Sequence, residues 1–303
     1  MTPDAAADAR AAADEAAARA ATAAGVAVRE LESLADLAAA VGLFDQIWDP
    51  NGGGSSVRLD MLRALTKAGN YASGAYDAAT GALLGACVGF FGPPGRAELH
   101  SHIAGVVPAG LGRSVGFALK LHQRAWCLRR DVRLVAWTYD PLIRRNAYFN
   151  LVKLGARPVE YLRNFYGVMD DVINAGTETD RMLVHWDLRS AVAAEASAGR
   201  PRPASFDAER SHGAVVALAG DGDGRPAPRP AIGSALADGS GARTFLVGVP
   251  ADIEAMRLSD PSGAAAWRAA LRDVLSPLLT VGGRVTGFAR SGWYVVSTGR
   301  DEP

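Results

Sequence analysis

The stretch ELHSHIAGVVP, residues 98–108, places His100 and His102 two positions apart in an extended run. Side chains at i and i+2 of a strand project from one face, and Glu98 joins them if the strand is regular. Imidazoles titrate near neutral pH, so either can pass a proton. A metal-binding pair is conceivable, but no third ligand is evident and no metal site is expected. The plainer alternative is two histidines satisfied by hydrogen bonds at a strand edge. His102 ranks first because it lies nearer the cleft. Asp140 ends the next apolar run, VRLVAWTYDP, and strand ends commonly line a cleft. It could orient an imidazole or bind an amine, or simply open an Asp-Pro turn.

The histidine strand runs into Val107, Pro108 and a small-residue turn, Ala109-Gly110-Leu111-Gly112, from which a helix rises at once. A helix N-terminus carries about half a positive charge and several unpaired N–H groups. A turn without bulky side chains lets a pyrophosphate reach them, and Arg113 adds a mobile cation. Residues 110–116 fit that role, and they also fit a tight strand–helix connection.

These residues need elements to position them. Residues 26–48 open with a short extended run and then take helical spacing at Leu34, Leu37, Ala38, Val41 and Phe44. PNGGGSS, residues 50–56, is a loop, and residues 57–70 form a helix closed by Gly69. A hairpin turns about Asp77–Gly81 and ends at Pro93-Pro94. After the glycine turn come a helix with Val115, Ala118, Leu119 and His122 on one side, a strand over 132–141, and a short helix capped near Gly155. A further strand covers RMLVHWDL, residues 181–188. The order over residues 26–190 is β, α, α, β, β, β, α, β, α, β. Antiparallel hairpins come first, and a β-α-β crossover then sets two neighbouring strands parallel.

Outside that block, residues 1–25 are Ala-rich without large apolar residues, and are expected to be a flexible N-terminus. Residues 191–240 read as a Gly/Pro/Arg-rich linker holding one strand-like run, GAVVALAG. Residues 241–303 read as a small β-α-β-β lobe, its helical pieces broken at Pro261 and Pro277.

At 303 residues, 49% of them hydrophobic, the chain can bury a sizeable core. The balance of 32 basic and 32 acidic residues argues against a nucleic-acid partner. Two cysteines, Cys87 and Cys127, exclude a disulfide scaffold or a cysteine-built zinc site. No apolar run reaches the roughly 20 residues that span a bilayer. The N-terminus has no signal-like apolar segment, so a cytoplasmic protein without a membrane partner is expected. Abundant Ala, Arg and Gly fit a high-GC bacterial genome.

Over about residues 26–190 the chain resembles the GNAT acetyltransferase superfamily, which binds acyl-CoA at a turn of the form V-x-P-x-x-R/Q-x-x-G-x-G/A. Val106-Val107-Pro108 matches the strand end, and Leu111-Gly112-Arg113-Ser114-Val115-Gly116 occupies the turn. Leu111 stands where Arg or Gln is usual, and Ser114 where the first Gly is usual. NAYFNLVKLGA resembles the asparagine-led helix that ends in K-L-G-F, matching at Asn146, Lys153, Leu154 and Gly155. With the Trp267-Arg268 block, the chain looks like a little-characterised bacterial branch carrying an extra C-terminal lobe.

The resemblance implies an α/β (α+β) fold. Its sheet is mixed and mostly antiparallel, with a central parallel β-α-β splay, and a small C-terminal α/β lobe follows. Strands at about 98–107 and 132–140 part, and pantetheine lies between them, bonding backbone near Gly105, Val106 and Val107. Leu111, Gly112, Arg113, Ser114, Val115 and Gly116 cradle the pyrophosphate, and Asn146 contacts the pantetheine arm or caps its helix. The implied activity is acyl-CoA-dependent N-acyl transfer to a small-molecule amine, with acetyl-CoA the default donor and His102, His100 or Asp140 managing the amine's proton. The tyrosine that many relatives use as acid is Leu151 here. Tyr148 is the nearest replacement, the alternative being an aromatic that packs on Trp137 or Tyr139. Arg144 and Arg145 meet the 3′-phosphate or are solvated. Phe165 and Tyr166 cover an acceptor or pack in the core. Arg268 and Arg272, one helical turn apart, bind a carboxylate or phosphate or form an exposed basic edge. The missing acid and altered turn leave open other chemistry on the scaffold (thioester hydrolysis, decarboxylation or a CoA-independent reaction) and a non-catalytic acyl-CoA sensor. Edge strands of such a sheet offer a route to a homodimer.

Overall fold

A computed structural model describes residues 3–48, 57–93, 95–167, 178–228 and 244–299. In chain order its elements begin with α1 (Pro3–Ala24), β1 (Val26–Glu30), α2 (Leu34–Trp48), α3 (Leu59–Lys67), β2 (Tyr71–Asp77), β3 (Leu83–Phe91) and β4 (Glu98–Val106). There follow α4 (Val115–Arg129), β5 (Leu134–Tyr139), α5 (Arg144–Ala147), β6 (Arg157–Leu162), β7 (Arg181–Asp187), α6 (Ala191–Ser197) and α7 (Phe206–Ser211). The chain ends in β8 (Val215–Gly220), β9 (Pro226–Pro228), β10 (Thr244–Gly248), α8 (Ile253–Ser259), α9 (Pro261–Thr280), β11 (Arg284–Ala289) and β12 (Trp293–Ser297). No helix among the described residues is long and apolar enough to cross a membrane.

The strands form a seven-stranded sheet, β1-β2-β3-β4-β5-β7-β6, and a five-stranded sheet, β11-β12-β10-β8-β9. In the larger sheet β4 and β5 pair in parallel and β1–β4 are antiparallel neighbours. This is the mixed sheet expected, with its one parallel crossover through α4. Compactness divides the chain at residues 137/138, 185/186 and 199/200, and not at residue 190. One unit is 1–137 with 186–199, and the other is 138–185 with 200–303. β5 and β7 each straddle a division, so the chain changes unit in mid-strand.

In the first unit the β2–β3 hairpin is fixed by Asp77, whose carboxylate accepts from the amides of Ala79 and Thr80 at 3.0 and 2.9 Å. Gly81, at φ +72°, closes the turn in the left-handed region that glycine enters without strain. Register places α2 and α4 on opposite faces of the sheet. A Cβ on Gly105 would meet Ile47 and Trp48 of α2, and one on Gly85 would meet Leu119 of α4. Gly85 pairs with Val106, and its neighbour Ala86 with Gly105. The N-terminal segment, for which a frayed helix or disorder was expected, is a 22-residue helix, α1, that packs on α4. Alanine methyls at Ala13, Ala16 and Ala24 are buried, because small side chains let two helices approach closely. Arg10 donates to the Leu128 carbonyl at 3.0 Å and pairs with Asp131 at 2.6 Å.

In the second unit β6 is a strand that the sequence hid. Pro158 and a bulge beside it break the pattern, which an edge strand tolerates because the missing N–H costs no ladder bond. The expected linker is largely structured: α6 and α7 are capped by Ser190 and Ser205, and β8 and β9 join the second sheet. Residues 229–240 of that linker, and residues 50–56, lie outside the described residues. Pro261 begins α9 and does not break it, and α9 continues through Pro277 to Thr280. Buried Val274, Leu275 and Leu278 hold the last turn despite the proline. The second sheet packs Ala214, Leu246 and Val295 with Phe206 and Trp293 around them.

Candidate functional site

Parallel pairing of β4 with β5 covers three residue pairs, Glu98↔Leu134, Leu99↔Val135 and His100↔Ala136. β4 then runs on to Val106 with β3 on its other side throughout, so the strands part after His100. Ser101 and Trp137 are the first residues beyond the fork, and Lys120 of α4 touches both. Its ammonium donates to Ser101 Oγ at 2.7 Å and Gln123 Oε1 at 3.1 Å, and sits 4.0 Å from the Trp137 ring centroid. Lys120 is 5% exposed and has no carboxylate partner among the described residues. Burial pulls its pKa below the ordinary lysine value. Gln123 in turn donates to Cys87 Sγ at 3.5 Å, and burial pushes that thiol up. Sequence reasoning missed this cluster. The signal lay in Lys120 and Gln123, three apart on α4, and in Cys87 and Ser101, polar residues inside otherwise apolar strands.

Beyond β4, Val107 enters a single 3₁₀ turn, Pro108–Gly110. The amides of Gly110 and Leu111 donate back to Val107 and Pro108. Gly112 (φ +77°) and Ser114 (φ +65°) are both left-handed, and Ser114 makes no side-chain cap bond to α4. The amides of residues 112–116 have no hydrogen-bond partner among the described residues; for Val115 and Gly116 this is what the first turn of a helix dictates. A Cβ on Gly112 would meet nothing within 4 Å, and Leu111 is 66% exposed. The backbone here is open. Val115 is buried beneath it, and Gly116 lies 3.8 Å from Val106 if given a Cβ. Arg113 is not the mobile cation expected. It pairs with Asp77 at 2.7 Å and donates to the carbonyls of Ala24 and Gly25, which ties the turn to the β2–β3 hairpin and to the end of α1.

His100 and His102 flank Phe90, with ring centroids 5.0 and 5.6 Å from it and 6.1 Å from each other. They share one face, as alternation about Ser101 places them, while Ser101 faces Lys120 on the other. Val88 pairs with Ile103 and Gly89 with Ser101, so His102 is the extra residue of a β-bulge. Burial, with the neighbouring His102 and Lys120 charges adding to it, pushes His100 down to about 4, and burial pushes His102 down too. Both imidazoles are neutral at pH 7 and keep a lone pair for a proton. Among the described residues no three His, Cys, Asp or Glu gather as a metal site.

The remaining candidates lie in the second unit. Asp140 is 5% exposed and serves as the anion of an arginine cluster. Arg257 and Arg268 bond its Oδ2 at 2.5 and 2.8 Å, Arg181 lies 4.0 Å away, and the Leu142 amide bonds Oδ1 at 3.0 Å. The guanidinium charges hold its carboxyl below the ordinary value against the opposing effect of burial. With both oxygens taken, Asp140 cannot exchange a substrate proton, which corrects the catalytic expectation. Asn146 begins no cap, since the residue ahead of α5 is Ile143 and no side chain caps that helix. Tyr148 opens a π-helical turn, Tyr148–Lys153. Its ring is half-buried, 6.0 Å from the Arg290 guanidinium, and its hydroxyl has no partner among the described residues. Arg144 donates to the Arg290 carbonyl, and Arg145 pairs with Glu254 while its side chain stays exposed. Phe165 and Tyr166 are 48% and 44% exposed and stack edge to face, which rules out core packing. Arg268 is buried and Arg272 pairs with Asp180 and Glu178, so they form no exposed basic edge.

No family model matches the chain, and no curated protein matches it. Solved structures similar to part of it include the ribosomal-protein-S18-alanine N-acetyltransferase from Escherichia coli, at 16% identity and TM-score 0.44, covering 55% of this chain and 96% of that one. An N-acetyltransferase from Staphylococcus aureus Mu50 gives 12% identity and TM-score 0.45, covering 54% and 98%. The yncA protein of Salmonella typhimurium with its cofactor acetyl-CoA gives 17% and 0.44, covering 54% and 94%. The strand order, the fork and the open turn of this chain carry the reading that follows.

Proposed function

We propose that this protein is an acyl-CoA-dependent N-acyltransferase that moves an acyl group, acetyl by default, directly to the amine of a small molecule. One observation carries the reading: β4 parts from β5 after His100 and leads straight into a turn whose amides, 112–116, are unpartnered among the described residues, with Gly112 and Ser114 exposed. A strand edge without a neighbour suits an extended arm that bonds backbone at Gly105, Val106 and Val107. Free amides at a helix N-terminus suit a diphosphate at Leu111, Gly112, Arg113, Ser114, Val115 and Gly116. In this reading Arg113 shapes the turn through Asp77, and Asn146 meets the pantetheine arm.

The acceptor nitrogen attacks the thioester carbonyl carbon, the C–S bond breaks, and the thiolate leaves. His102, neutral, takes the proton the amine loses, with His100 beside it. Lys120 is a positioning residue: it holds Ser101 and Trp137 where the strands part. Free-thiol release from acetyl-CoA that depends on added amine tests the reaction. Release without an amine would indicate hydrolysis, and acetyl-CoA binding without release would indicate a sensor. Either result would overturn the transferase reading.

A further inference from the structure

A cavity of about 260 Å³ opens in the second unit against one face of α9. Ala264, Ala265, Arg268, Ala269 and Arg272 of that helix line it, with Arg257 of α8 and Glu178 ahead of β7. The helical positions recur at one and four residues, so a single face presents guanidinium groups among alanine methyls. The wall holds three cations and one carboxylate, Glu178, which pairs with Arg272.

These cations are held in place from behind. Asp140 fixes Arg268 through Nη2 at 2.8 Å. Asp180, fully buried, grips Arg272 through Nε and Nη2 at 2.8 and 2.7 Å. A guanidinium has five N–H donors. Arg268 leaves Nε without a partner among the described residues, and Arg272 leaves Nη1 so. Two planar forks, oriented by buried carboxylates and with donors to spare, are a preorganised receptor for an oxyanion. Three alanines leave space beside them and offer methyl groups to a carbon body, which a phosphate lacks.

We propose that this cavity binds a small molecule bearing a carboxylate. The site needs nothing from the transfer reading and stands or falls separately. Benzoate serves as the probe, benzamide as its neutral counterpart, and inorganic phosphate as the competing oxyanion, all at matched ionic strength. Saturation-transfer NMR on the full chain is expected to detect benzoate and not benzamide. Benzoate is also expected to shift the side-chain Nε–H resonance of Arg268, a readout that needs no variant. Ala265 and Ala269 are exposed helix positions that tolerate glutamate. Ala265→Glu or Ala269→Glu, confirmed folded by circular dichroism, is expected to weaken benzoate binding by about tenfold or more through one close like charge. Absence of benzoate binding, or equal affinity in both variants and an unmoved Arg268 resonance, would overturn the site. Phosphate binding without benzoate binding would overturn the carboxylate assignment.

Discussion

Replacing Lys120 by Met separates two roles that burial alone confounds. The lysine is 5% exposed and surrounded by Ser101, Gln123 and Trp137, with no carboxylate among its described partners. A hydrogen bond from a charged donor contributes about 1.5–3 kcal/mol, and a desolvated cation–π interaction about 2 kcal/mol. Against these stands the cost of burying an unpaired ammonium, several kcal/mol. Met keeps the length and apolar stem of the side chain and removes that cost, while leaving the Gln123 amide oxygen, an acceptor, and the Ser101 hydroxyl, which can turn to donate elsewhere. The two sides nearly cancel, so the stability read from urea denaturation is expected to move by no more than about 2 kcal/mol in either direction. Acetyl-CoA binding should respond differently. Without the ammonium, the link it makes from Ser101 of β4 to Trp137 of β5, just past the last pair of those strands, is lost. A loss of even 1.4–3 kcal/mol from the fork weakens binding by about ten- to a hundredfold. Calorimetric titration beside urea denaturation reads both quantities. A variant that loses about 4 kcal/mol of stability yet binds acetyl-CoA normally would refute the positioning role and make Lys120 a structural staple.

Asp140→Ala removes the carboxylate from a buried arginine cluster and is expected to cost about 3–5 kcal/mol by chemical denaturation; a change below about 1 kcal/mol would show that the cluster is not held by Asp140. His100 and His122 are both pushed down to about 4 by burial. Their folded values lie below the ordinary 6.5, so between those limits the unfolded chain binds more protons, and stability falls as pH drops from about 6.5 toward 4. Each contributes at most about 1.4 kcal/mol per pH unit, less for His100 because it is partly exposed. The loss should be absent above about pH 7. A flat urea midpoint between pH 6.5 and 4 would contradict the burial of these rings.

What the sequence revealed is what depends on neighbours in the chain. Asp77 and Gly81 set the hairpin, Gly69 and Gly155 end helices with positive φ, and the crossover through α4 follows from hydrophobic period alone. The turn at Gly112 was legible because glycine openness is local. The partners of Asp140 were not, since Arg257 and Arg268 lie 117 and 128 positions away. Nor was the bulge at His102, which depends on how β3 registers against β4. Alanine gave no hint that α1 docks, because its methyls bury little area and the ion pairs that fix the helix come from α4 and Asp131. Lys120 looked like any surface lysine on a helix until the sheet beneath it brought Ser101 and Trp137 to its ammonium.

The central claim is that open amides around Gly112 receive the diphosphate of an acyl-CoA. Gly112→Glu places a carboxylate in that space, and Gly112→Ala supplies the same left-handed backbone strain without charge. Isothermal titration with acetyl-CoA is expected to give measurable binding to the wild type, a modest loss for Gly112→Ala, and a loss of about a hundredfold or more for Gly112→Glu. Equal affinity in all three proteins, or no affinity in the wild type, would contradict it.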